Sequence, residues 1–116
     1  MYRAKYLSPM VPSFNIPATR KFFQEVFNFE LVLDTANYAV LVKDNLTIHL
    51  LNAGPDIGEM EFYLEVDNID FVWAEIKDKV ADLKHRAPFD RDYGMREIHL
   101  EVPFTKTLMF IGQAIS

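Results

Sequence analysis

Two alternating stretches carry most of the side chains that could do chemistry. In the run Met60–Val66, Glu61, Tyr63 and Glu65 recur at every second residue; in Met95–Val102, Glu97, His99 and Glu101 do the same. A period of two places each trio on one face of a strand. Four carboxylates, a phenol and an imidazole on one sheet face could receive a small cationic or aromatic ligand. His99, between two carboxylates, could also act as a general base. The same composition equally describes a solvated face, because antiparallel sheets commonly leave one side wet. Ser8 has no triad partners that spacing can reveal, and His85 sits in a charged turn that needs no functional explanation.

These side chains need elements to hold them, and the pattern supplies ten. The stretch Met60–Val80 sets the plan. Met60, Phe62, Leu64 and Val66 form the buried face of a strand, and Asp67-Asn68 supplies a helix cap. A helical stripe of Ile69, Val72, Trp73, Ile76 and Val80 predicts a helix over 69–82, with Trp73 in the core. The same grammar occurs earlier. Residues 5–14 read as a strand that Pro9 and Pro12 confine to a sheet edge. Asn15 caps a helix running to Phe27, with Pro17 in its first turn and Ala18, Phe22, Phe23, Val26 and Phe27 buried.

Strands Glu30–Asp34, Tyr38–Lys43 and Leu46–Asn52 follow, joined by hairpin turns. In the last of them Leu46, Ile48 and Leu50 face the helix, leaving Thr47, His49 and Leu51 outward. Residues 54–59, rich in Gly and Pro, read as a linker. After the second helix come a weak strand near 83–88, a turn at 90–92, strand 95–102, a turn at 103–105 and strand 106–113. The expected fold is α+β, with curved mixed sheets built from two βαβββ modules, about 5–53 and 60–113, in a single domain spanning 1–116. The halves share negligible identity, so the repeat is one of architecture.

Bulk composition narrows the classes. The 116 residues are half hydrophobic and a quarter charged, and sixteen aromatics, ten of them Phe, exceed what one small core needs. No run of about eighteen apolar residues suggests a membrane span, and the first residues lack a signal-peptide core. Cytoplasm is the default expectation. The absence of Cys excludes disulfides and thiolate ligands. A net charge of −5 and scattered basic residues argue against nucleic acid as a partner.

Paired βαβββ modules of this size resemble the vicinal oxygen chelate superfamily of glyoxalases, extradiol dioxygenases, fosfomycin-resistance enzymes and bleomycin-binding proteins. The stretch Asn15–Phe23 followed by Phe27-Asn28-Phe29 is similar to its capped first helix and Gly-Phe exit, with Asn28 where glycine is usual. Val66-Asp67-Asn68-Ile69-Asp70 is similar to the entry to the second helix. Tyr93-Gly94-Met95-Arg96-Glu97 and Phe110-Ile111-Gly112-Gln113 resemble stretches of the bleomycin-resistance branch. Val102-Pro103-Phe104-Thr105-Lys106 departs from the family's Asp-Pro-Asp-Gly-Asn turn, keeping only the proline.

The resemblance implies metal-ligand positions at Ser8, His49, Glu61 and Phe110. Only His49 and Glu61 can serve as ligands, fewer than the three or so a catalytic ion needs, so no metal or other cofactor is expected. It also implies a homodimer that exchanges N-terminal strands, with Pro9 at the matching position, although an edge-strand proline reads the same way. Its clefts would bind through Tyr38, His49, Tyr63 and Tyr93, with Leu33 where an aromatic is usual. Glu61, Glu65, Glu97 and His99 would complete the site. The function so implied is non-catalytic sequestration of a cationic glycopeptide antibiotic of the bleomycin type, or a related toxic metabolite. The alternatives are a metal-dependent lyase, isomerase or transferase of the superfamily, and a degenerate module for an endogenous ligand.

Overall fold

The structure is a computed structural model and describes residues 1–115. Its elements are β1 Met10–Ser13, α1 Ile16–Phe27, β2 Glu30–Thr35, β3 Tyr38–Lys43, β4 Leu46–Asn52, β5 Met60–Glu65, α2 Ile69–Ile76, β6 His85–Asp90, β7 Met95–Glu101 and β8 Thr107–Ala114. They form two four-stranded sheets with the same permutation, β1-β4-β3-β2 and β5-β8-β7-β6. In each, the first strand runs parallel to the last, and the other pairs are antiparallel. The βαβββ repeat read from the sequence is therefore the repeat of the fold. Within this chain β1 pairs with β4.

Each helix covers one side of its sheet. Phe23, Val26 and Phe27 of α1 and Ile69 and Ile76 of α2 join Leu41, Ile48, Leu50, Ile98, Leu100, Met109 and Ile111 in one buried core. The excess of Phe is partly spent here. Phe22, Phe23, Phe27 and Phe29 form a chain of edge-to-face pairs with centroids 5.1, 5.6 and 5.9 Å apart. The opposite faces of both sheets are left open.

The helix termini follow the sequence signals. The Asn15 and Asn68 side chains accept from the backbone N–H groups of Ala18 and Phe71, at 3.1 and 3.0 Å. Asn28 closes α1 in the left-handed region, φ 60°, and the N–H of Phe29 donates to Phe23 O at 3.1 Å. Asparagine tolerates that conformation where most residues do not. Asn28→Gly is expected to leave stability within about 0.5 kcal/mol, whereas Asn28→Val should cost about 1 kcal/mol in urea unfolding. Equal stability of the two variants would show that the cap carries no strain.

Several boundaries differ from the sequence reading. The β1 strand begins only at Met10, although Pro9 O still accepts from His49 N–H at 3.1 Å. The α2 helix stops at Ile76 rather than near residue 82. Isolated turns then keep Val80 on the buried stripe, with its N–H donating to Ile76 O at 3.0 Å. Trp73 is half-buried against the core instead of within it. Thr19, not Ala18, is the fully buried residue of the first turns. Its hydroxyl pairs with Ser13 Oγ at 2.6 Å and with Pro103 O at 2.9 Å, linking the two modules. Leu46 is 46% exposed because it begins its strand beyond the reach of the helix.

The weak sixth strand lies at 85–90, and the turn after it at Arg91–Gly94, later than expected. One extra residue between Arg86 and Phe89 forms a bulge that absorbs Pro88 in this edge strand. A second bulge at Val32 turns Leu33 to pair with Val40.

Candidate functional site

The open face of the second sheet is organised by Glu97. Glu61, Tyr63 and Glu65 of β5 register against Leu108, Phe110 and Gly112 of β8. Glu101, His99 and Glu97 of β7 register against the same three residues from the other side. The bulge in β6 adds Arg86 beside His99 and Phe89 beside Glu97. One row thus reads Tyr63, Phe110, His99, Arg86, and the next Glu65, Gly112, Glu97, Phe89.

Glu97 is 0% exposed despite lying on the face expected to be wet. A buried carboxylate persists only when its charge is met. Oε1 accepts from Arg91 Nη1 at 3.1 Å and faces His99 Nε2 at 2.9 Å, while Oε2 accepts from the Tyr93 hydroxyl. Burial by itself would raise the Glu97 carboxyl. The hydrogen bonds from Tyr93 and His99 and the charge of Arg91 outweigh it, holding the group below its ordinary value of 4.5.

Tyr63 reaches this carboxylate because residue 112 has no side chain. A Cβ on Gly112 would lie 1.9 Å from the Tyr63 hydroxyl and 3.3 Å from Glu97 Cγ. Although Tyr63 is 44% exposed, its hydroxyl is turned in against Glu97. Burial, and then the Glu97 charge, push its phenol from 10.0 up to about 12. A phenol raised in the folded state stabilises the fold below pH 10 and loses that contribution as pH climbs toward 12. Tyr93 is raised too, chiefly by its hydrogen bond to Glu97, so ultraviolet titration should show a late tyrosine phase reaching about pH 12 in wild type and an earlier one in Glu97→Gln. An unshifted late phase in the variant would remove Glu97 as a cause.

Aromatic surfaces complete the face. His99 stacks on Phe110 at 4.0 Å and 21°, and meets Phe89 edge-on at 5.0 Å. The Arg86 guanidinium lies 3.5 Å from the Phe89 centroid, and Arg91 lies 4.8 Å from that of Tyr93. Arg86, Glu61 and Glu65 make no ion pair among the described residues.

The eight candidate residues thus divide. Tyr63, Tyr93, Glu97 and His99 come together, with Glu61 and Glu65 exposed beside Tyr63 on the same strand. Tyr38 and His49 sit on the first sheet instead, where the Tyr38 hydroxyl and His49 Nδ1 are 2.6 Å apart and His49 Nε2 is buried without a partner. Leu33, Val40 and Met10 surround them in register, so that face is largely apolar. The sequence reading has Glu97 meeting a ligand's cation directly. In the fold it is already saturated by Arg91, His99 and Tyr93, whereas Glu61 and Glu65 make no ion pair among the described residues.

Phe89, Phe110, Arg86, Arg91 and Gly112 belong to this face without being singled out by the sequence as binding residues. Phe110 and Gly112 carry a signal, because they alternate on the outward face of their strand. Phe89 does not, because the bulge shifts its phase.

The implied metal positions do not fit an ion. Phe110 offers no donor, Ser8 Oγ donates to Thr47 O at 2.6 Å, and His49 Nδ1 is engaged by Tyr38. Among the described residues no three His, Asp or Glu side chains converge as ligands.

The same arrangement of modules occurs in solved structures. A bleomycin-binding protein from Streptomyces verticillus, complexed with copper(II)-bleomycin, superposes with TM-score 0.80 at 17% identity, over 100% of this chain and 99% of that one. An antibiotic binding protein from a Streptomyces species gives 0.80 at 15%, covering 98% of each. Lactoylglutathione lyase from Agrobacterium tumefaciens gives 0.77 at 12%, over 96% of this chain and 94% of its own. The chain has the fold shared by glyoxalases and bleomycin-resistance proteins. No protein-family model and no curated protein sequence matches it. Among the described residues no helix is long and apolar enough to cross a membrane.

Proposed function

We propose that this chain is a binding protein that sequesters a small molecule with a planar aromatic portion and a cationic end, of the bleomycin type, without breaking a bond in it. The observation that carries the reading is the ring cluster of Tyr63, Tyr93, Phe89, His99 and Phe110 fixed around a buried, fully satisfied Glu97. Aromatic rings, with few side-chain torsions to freeze, offer stacking area at little entropic cost. Glu61 and Glu65, free of ion pairs at the rim, supply charge for the cationic end. The likeness in fold to bleomycin-binding and antibiotic binding proteins supports this reading. The lyase reading shares that likeness in fold, through lactoylglutathione lyase, but the implied ligand positions do not fit an ion.

Pairing of two copies belongs to the same proposal. Tyr2, Tyr6 and Leu7 are exposed in a leading segment outside any strand, and β5 is an open sheet edge. Between them runs a groove of about 670 Å³ lined by Leu7, Pro9, Phe29, Ile48, Phe62 and Leu64, suited to the leading segment of a second copy.

Isothermal titration of metal-free bleomycin into chelator-treated protein tests both parts. Saturable heat near one drug per chain is expected, with a sedimentation mass of two chains. Tyr63→Ala or Tyr93→Ala should weaken binding about tenfold or more, roughly 1.4 kcal/mol each. Unchanged affinity in both variants would remove the platform from the site, and no heat at all would leave an endogenous ligand as the reading.

A further inference from the structure

The pairing of His99 with Glu97 goes beyond what holding a ligand requires. Glu97 is fully buried and ionised, and its Oε1 lies 2.9 Å from His99 Nε2. Arg91 Nη1, 3.3 Å from the same nitrogen, can only donate, and it already serves Glu97. A bare Nε2 would set its lone pair against the carboxylate at 2.9 Å, so Nε2 carries the proton and gives it to Glu97. In the neutral ring that leaves Nδ1 as an unprotonated lone pair. Among the described residues Nδ1 has no hydrogen-bond partner, yet it is not among the sealed polar atoms that lack one. The side chain is 18% exposed on the open face of the sheet, and Nδ1 is the ring nitrogen left free to meet a bound molecule there. Phe110 and Phe89 hold the ring from two sides, so its direction is fixed.

We propose that His99 is a general base toward a planar carbon acid bound on this face, with Glu97 as its positioning residue. The inference rests on the second sheet's open face being the ligand site, and adds an activity toward carbon acids other than the sequestered molecule, in which no bond breaks. In the step, Nδ1 takes a proton from an acidified C–H, and the bonding pair moves into the substrate's conjugated system. The imidazolium keeps its Nε2–H on Glu97. Arg86, unpaired and stacked on Phe89 beside His99, is the cation placed to face the resulting anion. Return of the proton to another carbon completes an isomerisation without a co-reactant. A positioned base of this kind contributes about 10²–10⁴-fold.

The test uses 5-nitrobenzisoxazole, a planar probe whose opening needs only a base. Nδ1 would take the C3 proton, the C–H pair would complete the nitrile, and the N–O bond would break with its pair leaving as phenolate. Bound probe should open about 100-fold faster with the whole protein than with an equal concentration of free imidazole. His99→Ala should lose that gain and recover part of it with added imidazole, which a purely structural role would not allow. His85→Gln should match wild type.

The 3-methyl analogue, which has no C3 proton, reads binding alone. If it binds while wild type opens the probe no faster than imidazole, or if His99→Ala is unchanged, the base assignment falls and the binding reading stands. If the analogue does not bind, the face is not a site for such planar molecules and both fall.

Discussion

Glu97→Ala is expected to lower the unfolding free energy by about 3 kcal/mol, the largest effect of any single change on the open face of the second sheet. The carboxylate is sealed from water and anchors Arg91, His99 and Tyr93 at once. Removing one partner of a buried ion pair typically costs about 3–5 kcal/mol, because the remaining polar groups are left uncompensated. Here the lower end applies, since the Arg91 and His99 side chains are 30% and 18% exposed and can partly rehydrate.

The effect has a pH signature. A carboxyl held low in the folded state stabilises above its unfolded value near 4.5 and loses that contribution as pH falls through its folded value. Wild type should therefore lose stability on acidification below about pH 4.5 more steeply than Glu97→Ala. Urea unfolding at pH 7 and at pH 3 measures both, with Glu61→Ala as the exposed comparison, expected within about 0.5 kcal/mol. A cost below about 1 kcal/mol at pH 7 would mean that the cluster does not hold the sheet together.

Gly112→Ala should separate the site from the fold. An alanine inside a strand normally stabilises relative to glycine, by about 0.5–1 kcal/mol. At this position the sign reverses, because the new methyl would sit 2.7 Å from Tyr63 Cζ as well as 1.9 Å from its hydroxyl. Tyr63 is partly exposed and can swing outward, so the overpacking cost should stay near 1 kcal/mol, about the low end for such changes. Ligand affinity should fall about tenfold or more, as it does when Tyr63 is removed outright.

A double-mutant cycle makes the cause explicit. In a Tyr63→Ala background, Gly112→Ala should have little further effect on affinity, since the next nearest atom is Glu97 Cγ at 3.3 Å. Additive losses would place the effect of Gly112 elsewhere than on the tyrosine.

Part of the site is legible in the order of residues alone. The outward direction of Tyr63, Glu97 and His99 follows from strict alternation, because side-chain phase in a strand depends only on parity. The caps at Asn15 and Asn68 are legible for a similar reason, being local hydrogen bonds three residues long. The close of α1 at Asn28 is legible through the resemblance. Phe89 and Leu33 escape this reading because a bulge adds one residue without a mark in the composition. The helix ending at Ile76 looks longer in sequence because isolated turns can keep a helical stripe buried.

What the sequence determined by itself is local: the order of elements, the covered face of each, and the repeated βαβββ plan. Each is fixed by periodicity and capping over a few neighbours. What only the tertiary structure decided is the chemistry of the open face. Composition makes Glu97 a surface carboxylate ready for a ligand's charge. Burial beneath Tyr63, across from Gly112 and between Arg91, Tyr93 and His99, makes it an internal anion instead. Those partners come from β5, β7, β8 and the turn after β6, and their convergence sets the solvation that governs a carboxylate's role.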